Sequence, residues 1–218
     1  AINGAYSDGM TESLTYSSNS YDSSETNNQV ENVEEADIVK INQNYIYYIT
    51  EKKVVIVDAK SAEETEKIFE IDYSEENIWP QEMFVNENKL IVIARKYGTN
   101  MVTCGNAYQD VIISESKTYI IIYNVSDKKE PKEVRRIEVE GNYISSRMIQ
   151  NNIYFAISKN IYSSEILSKD IKELNELNYK PKYKDTAVSQ VEKCIEYDSI
   201  YYFDNIETTN YLILGGIN

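Results

Sequence analysis

The chain has no histidine at all. That removes Ser-His-Asp and Cys-His catalysis, histidine metal sites and the usual proton shuttle. Cysteine is nearly absent: Cys104 and Cys194 stand far apart and neither belongs to a CxxC pair, which argues against zinc and thioredoxin-like redox chemistry. Glycine (7) and proline (3) are scarce, and neither GxGxxG nor GxxxxGK[ST] occurs, so dinucleotide and P-loop binding have no motif here. No run approaches the roughly 18 apolar residues of a membrane span; the most apolar stretches, Tyr119 to Val125 and Tyr211 to Ile217, have the length of strands. Arginine is rare, with only Arg135 and Arg136 adjacent, and nothing offsets a net charge of -14. Such a field repels nucleic acid and anionic membrane surfaces.

What is present is a strand-forming chain of 218 residues, 42% apolar, with 20 tyrosines. Residues 1 to about 30, including Ser20-Tyr21-Asp22-Ser23-Ser24, are polar and without period. They read as a flexible leader or linker, expected to join the domain to an upstream anchor or signal segment that the chain does not contain. From Ala36 onward short apolar strands alternate with polar turns, and one unit recurs. Asp37 to Lys40, Met83 to Val85 and Arg147 to Ile149 each lead into an Asn-rich turn. The turns lead into Tyr45 to Ile49, Lys89 to Ile93 and Ile153 to Ile157. Asparagine tolerates the left-handed backbone of tight hairpins, which accounts for Asn44, Asn88 and Asn151 at equivalent places. Further strands follow each hairpin: Val54 to Asp58 and Ile68 to Ile71, then Tyr119 to Val125 and Val134 to Val139, then Tyr211 to Leu214.

Four strands per unit, repeated radially, is the plan of a β-propeller blade. The expected fold is all-β, about three four-stranded blades forming a fragment of a larger propeller. Blade 1 is expected at about 36–72, blade 2 at 81–140 and blade 3 at 145–218. The third unit carries a long insertion in which Leu167, Ile171 and Leu174 keep helical spacing. This predicts a helix over about 164–178, capped by Ser163 or Ser164 and ended by Pro181.

Several segments resemble one family. Thr26-Asn27-Asn28-Gln29-Val30-Glu31-Asn32-Val33-Glu34-Glu35-Ala36-Asp37-Ile38-Val39-Lys40 resembles the entry motif TNxQVxxVxEADIVK of secreted bacterial and archaeal β-propeller domain proteins. Glu34 stands where Asp is more usual. Glu140-Gly141-Asn142-Tyr143-Ile144-Ser145-Ser146-Arg147-Met148-Ile149 is similar to that family's EGxYxSSRMI segment. Tyr123 to Asp127 with Pro131, and Pro181 to Thr186, are similar to its YDISD…P and PxYxDT segments. The resemblance runs from about residue 24 to the end. It implies a secreted or extracytoplasmic propeller, extracellular or anchored at the cell envelope, with no catalytic residues to carry over. Family members continue well past the equivalent of residue 218, so a truncated set of blades with open sheet edges is expected. Such edges call either for a protective device or for self-association.

Candidate chemistry rests on few residues. Alternation places Glu35 and Asp37 on one face of an extended chain beside Glu34, where they could share a Ca²⁺ or instead pair with Lys and Arg at a blade joint. Glu63, Glu64 and Glu66 read as a solvated loop. Arg147 is a structural candidate, suited to holding an inter-blade carboxylate. Cys104 and Cys194 fit one disulfide of an oxidising compartment, or two unrelated buried thiols. Tyr45, Tyr47, Tyr48, Tyr197, Tyr201 and Tyr202 lie in or beside strands, as core packing or as a surface for sugars and peptides, and Trp79 divides the same way. The expected function is a binding or scaffold module for an unknown protein or carbohydrate, without nucleic acid or membrane insertion. The alternative is a carboxylate- or Ca²⁺-dependent hydrolase of polysaccharide or peptide, for which no carboxylate pair is singled out.

Overall fold

The computed structural model describes residues 33–103, 110–161, 179–205 and 210–218, with backbone alone at 99–103 and 110–115. Its strands run in chain order as β1 (Val33–Glu35), β2 (Val39–Asn42), β3 (Tyr45–Thr50), β4 (Lys53–Asp58), β5 (Glu66–Asp72), β6 (Trp79–Asn86) and β7 (Lys89–Thr103). They continue as β8 (Asp110–Asn124), β9 (Lys132–Glu140), β10 (Asn142–Ile149), β11 (Asn152–Asn160), β12 (Lys182–Asp185), β13 (Ser189–Cys194) and β14 (Asn210–Ile217). Antiparallel pairing sorts them into three sheets: β2-β3-β4-β5, then β6-β7-β8-β9 with β12 and β13 added beyond β9, then β1-β10-β11-β14. These are three blades, stacked face to face.

The stack explains why the middle strands read as unbroken apolar runs. Leu90, Val92 and Ala94 of β7, with Tyr119, Ile121 and Tyr123 of β8, point one way and meet Tyr47, Val54 and Ile56 of the first sheet. Ile91, Ile93 and Ile120 point the other way and meet Met148, Ile153, Phe155, Ile157 and Ile213 of the third. A sheet covered on both faces has no solvent side for alternation to mark. Each such side chain contributes about 1.5–3 kcal/mol of transfer free energy. Burial also pushes the hydroxyls of Tyr47, Tyr73 and Tyr123 upward, that of Tyr123 to about 12, so they remain neutral.

The repeated hairpins are present, with one correction. The residue with positive φ is Gln43 (56°), Glu87 (50°) and Gln150 (56°), one position before each asparagine. The asparagines serve otherwise. Asn44 and Asn88 turn their main-chain carbonyls to the amides of Ala59 (2.7 Å) and Val125 (2.8 Å), tying each turn to the end of the blade's third strand.

The residues expected as blade 3 divide between two sheets. The β12–β13 hairpin leaves its neighbours in sequence and covers the outer edge of β9, with Tyr183 opposite Val139 and Asp185 opposite Ile137. Asp185 takes Arg135 in a two-pronged contact (3.0 and 2.7 Å), and the Thr186 hydroxyl accepts from the Arg136 amide (2.8 Å). Thus the segment similar to PxYxDT is a docking device, and it protects an edge that would otherwise stand open. The helix expected over 164–178 lies outside the described residues, so that part of the expectation finds no support. Among the described residues, a 3-10 turn forms at Tyr197–Ser199.

Candidate functional site

Of the sequence-predicted residues, Glu34, Glu35, Asp37 and Arg147 come together where the entry segment meets β10 and β6. The entry segment does not pass straight into blade 1. It first pairs as β1 with β10 of the third sheet, with Val33 opposite Ile149, Glu34 opposite Met148 and Glu35 opposite Arg147. Asp37 then makes two main-chain hydrogen bonds with Met83 of β6 (3.1 and 2.9 Å) before the chain enters β2. One short strap therefore touches all three blades, and the two most specific segments of the sequence lie side by side.

Charges along the strap answer one another. Arg147 Nη2 meets Glu35 at 2.9 Å, and Nη1 donates to the Ser146 carbonyl at 2.7 Å, so the arginine holds a carboxylate of the paired strand by one prong. Lys40, 5% exposed, lies 3.1 Å from Glu34 and donates to the Glu35 carbonyl at 2.6 Å. The Asp37 carboxylate accepts from the Ile38 amide (2.6 Å). Tyr143 links the third sheet to the second through Glu82 (2.7 Å), and its hydroxyl also meets that of Ser146 on its own strand (2.8 Å). Burial and the Glu82 carboxylate raise its phenol, while the Ser146 hydrogen bond opposes them. Glu35 and Asp37 are thus taken by an arginine and a main-chain amide. Among the described residues no group of three or more Cys, Asp and Glu lies close enough to hold a metal ion. Cys194 ends β13 half-buried opposite Lys182; Cys104 lies outside the described residues. Glu63, Glu64 and Glu66 are exposed.

The blades have two unlike ends. At one, the tight Asn-rich turns clasp each other in series: Asn42 Nδ2 donates to the Glu87 carbonyl (3.2 Å) and Asn86 Nδ2 to Asn151 Oδ1 (3.0 Å). Short, self-satisfied turns leave little for a ligand. At the other end lie the connections between second and third strands. In blade 1 this is a tight turn at Glu51 and Lys52, in blade 2 the long β7–β8 hairpin, and in blade 3 the excursion from Asn160 to Asn210 that contains β12 and β13. Surface connections on a rigid scaffold are where binding groups are carried.

This elaborated end also carries the exposed aromatics. Tyr201, Tyr202 and Phe203 are 90%, 78% and 87% exposed, in succession, within the connection to β14. They lie outside any strand, between the 3-10 turn and β14. Tyr197 is anchored nearby, its hydroxyl 2.5 Å from that of Tyr179 and its ring 3.9 Å from Lys180 Nζ. Tyr47, by contrast, is core, while Tyr45 and Tyr48 are half-buried. Trp79 opens β6 partly exposed, with Lys52 Nζ 4.6 Å from its ring. Sequence reasoning passed over Phe203. For Phe203 the signal was legible: three adjacent aromatics cannot all face the core of a strand that alternates.

A family profile described as a beta propeller domain matches residues 23–218. Among curated proteins, an uncharacterized protein of Methanocaldococcus jannaschii is 28% identical over 151 residues, 68% of this chain and 19% of that protein. The chain thus spans about a fifth of that relative's length. No solved structure matches.

Proposed function

The chain belongs to the β-propeller domain family, and from that premise we propose that it is an extracytoplasmic binding or scaffold module whose contacts lie at the elaborated end of the blades. The observation that carries this reading is the run Tyr201-Tyr202-Phe203, nearly bare on a connection that the hairpin of β12 and β13 holds in place. Contiguous exposed apolar surface on a folded domain marks an interaction site, and tyrosine supplies contact area at small entropic cost with a polar tip for orientation. The partner class is protein or carbohydrate; the acidic field turns away nucleic acid. The extracytoplasmic setting is supported by the resemblance of the entry and SSRM segments to secreted propellers. Glu34, Glu35 and Asp37 face cations and a main-chain amide, which supports binding over hydrolysis of a glycosidic or peptide bond.

Parallel glycan and peptide arrays, probed with the whole chain and with a Tyr201→Ser/Tyr202→Ser/Phe203→Ser variant, test this. The expected result is binding to one class, lost by about tenfold or more in the variant, with an unchanged thermal midpoint because none of the three side chains is buried. Retention of full binding by the variant, or turnover of the retained ligand by the wild type, would overturn the reading.

A further inference from the structure

From Cys194 to Asn218 the chain holds four acids and neither lysine nor arginine. Many carboxylates elsewhere are answered by the chain's own cations: Glu35 by Arg147, Asp185 by Arg135, Glu138 by Lys184 and Glu192 by Lys117. Glu196, Asp198 and Asp204 are exposed and enter no ion pair among the described residues. Asp198 accepts from the neighbouring Ser199 hydroxyl (3.2 Å). Among these acids stand Tyr197, Tyr201, Tyr202 and Phe203, so nine consecutive residues carry three carboxylates and four rings. Successive Cα atoms lie about 3.8 Å apart, so the chain itself makes these groups neighbours. The segment is also fastened where it begins. The Ile195 amide donates to the Pro181 carbonyl (2.9 Å), and the Ser199 and Ile200 amides close a 3-10 turn onto Glu196 and Tyr197 (3.1 Å each). Three partly exposed rings of the chain already carry a cation: Trp79 has Lys52 at 4.6 Å, Tyr97 has Arg95 at 4.7 Å and Tyr197 has Lys180 at 3.9 Å. Tyr201, Tyr202 and Phe203 are more exposed than these and carry none among the described residues.

We propose that residues 196–204 dock a cationic segment of a partner protein, its arginine or lysine side chains lying on the rings of residues 201–203 and facing Asp198 and Asp204. The proposal rests on the binding-module reading above and narrows its partner to protein. A guanidinium gains there in three ways at once. The face of an aromatic ring attracts it, a carboxylate takes it in the planar, two-pronged manner, and the net charge of -14 draws it in from a distance. A saccharide meets the same rings, but a neutral one takes nothing from that field and an acidic one is repelled by it. The hydroxyls of the two tyrosines keep one end of each ring wet while its face is covered, which suits a contact made at the surface of both partners.

The test titrates the whole chain into a labelled peptide of alternating glycine and arginine, followed by fluorescence anisotropy, beside the same peptide with neutral citrulline for arginine. Alternate positions of an extended peptide put its cations on one face. Saturable binding of the arginine peptide is expected, about tenfold or more tighter than the citrulline peptide. Asp198→Asn/Asp204→Asn should weaken it by about fivefold. Tyr201→Leu/Tyr202→Leu/Phe203→Leu, which keeps apolar side chains but removes the ring faces, should do the same. Glu63→Gln/Glu64→Gln removes equal charge from the exposed β4–β5 connection, at the end of the Asn-rich turns. It should stay within about twofold of wild type, because a distant exposed charge is screened. Thermal midpoints confirm that all three variants fold. Equal damage from the Glu63/Glu64 variant would reduce the effect to the general field and overturn the site. Full binding by the leucine variant, or equal binding of the citrulline peptide, would overturn it too. Displacement of the arginine peptide by a neutral galactose oligomer would give the rings to carbohydrate, sinking the protein partner and leaving the binding module standing. If neither peptide binds, the inference falls, and the glycan and peptide arrays judge the module separately.

Discussion

Gly141 offers the sharpest test of how the signature segment works. It joins β9 of the second sheet to β10 of the third, donates its amide to Ser116 (2.7 Å) and accepts from the buried Thr118 hydroxyl (2.9 Å). Its φ is +120°, and a Cβ there would lie 2.7 Å from the Ser158 carbonyl oxygen and 2.8 Å from Ile157 Cγ2. Ser158 is held in register opposite Asn142, so that oxygen cannot withdraw without unpairing the strand. A backbone forced into this region costs about 1–3 kcal/mol, and overpacking against fixed main chain adds about 1–3 more. Gly141→Ala should therefore lose about 2–6 kcal/mol. Gly216→Ala is the control: its Cβ would sit 3.5 Å from the Tyr154 ring, ordinary contact, on an exposed stretch of β14. It should stay within about 0.5 kcal/mol of wild type. Urea unfolding followed by Trp79 fluorescence gives both values from midpoints at constant slope. A Gly141→Ala variant as stable as wild type, or a Gly216→Ala variant equally damaged, would refute the reasoning.

Two further outcomes are expected. The Arg135 guanidinium holds the Asp185 carboxyl below its usual range. The stabilisation it lends the β12–β13 hairpin is therefore complete above about pH 4, the ordinary aspartate value, and is lost as pH falls through the lowered one. Asp185→Asn should remove it at neutral pH, read as faster hydrogen exchange at the Thr186 amide while the β7 amides stay protected; unchanged exchange at Thr186 would count against the latch. At the opposite side of the stack, β14 carries no charged residue, and Leu212 and Leu214 are 64% and 73% exposed beside an edge that no strand pairs among the described residues. Such an edge invites another strand, so the chain should self-associate in sedimentation velocity at high salt and Leu214→Lys should return it to monomer; a monomeric wild type would contradict this.

Strand positions, hairpin turns and the blade plan were legible because each is a local matter. Alternation, β-branched runs and the Asn-rich punctuation act over a few residues, and the same unit appears three times. The acidic field and the lack of histidine are likewise properties of composition. The residue bearing positive φ was misplaced by one position, since Gln43, Glu87 and Gln150 are held there by the hairpin closing around them rather than by their own preference. Partners across long intervals were not legible. Nothing in Glu35 says that it will face Arg147, nothing in Asp185 that it will return to Arg135, and nothing in Trp79 that Arg95 will stand opposite it while Lys52 arrives from another blade. A period of two is the same along every strand, so it marks which side of a strand is apolar but not which strand lies beside it. That choice is made only when sheets stack and their edges close, and with it the placing of every charge and ring through which this chain would meet a ligand.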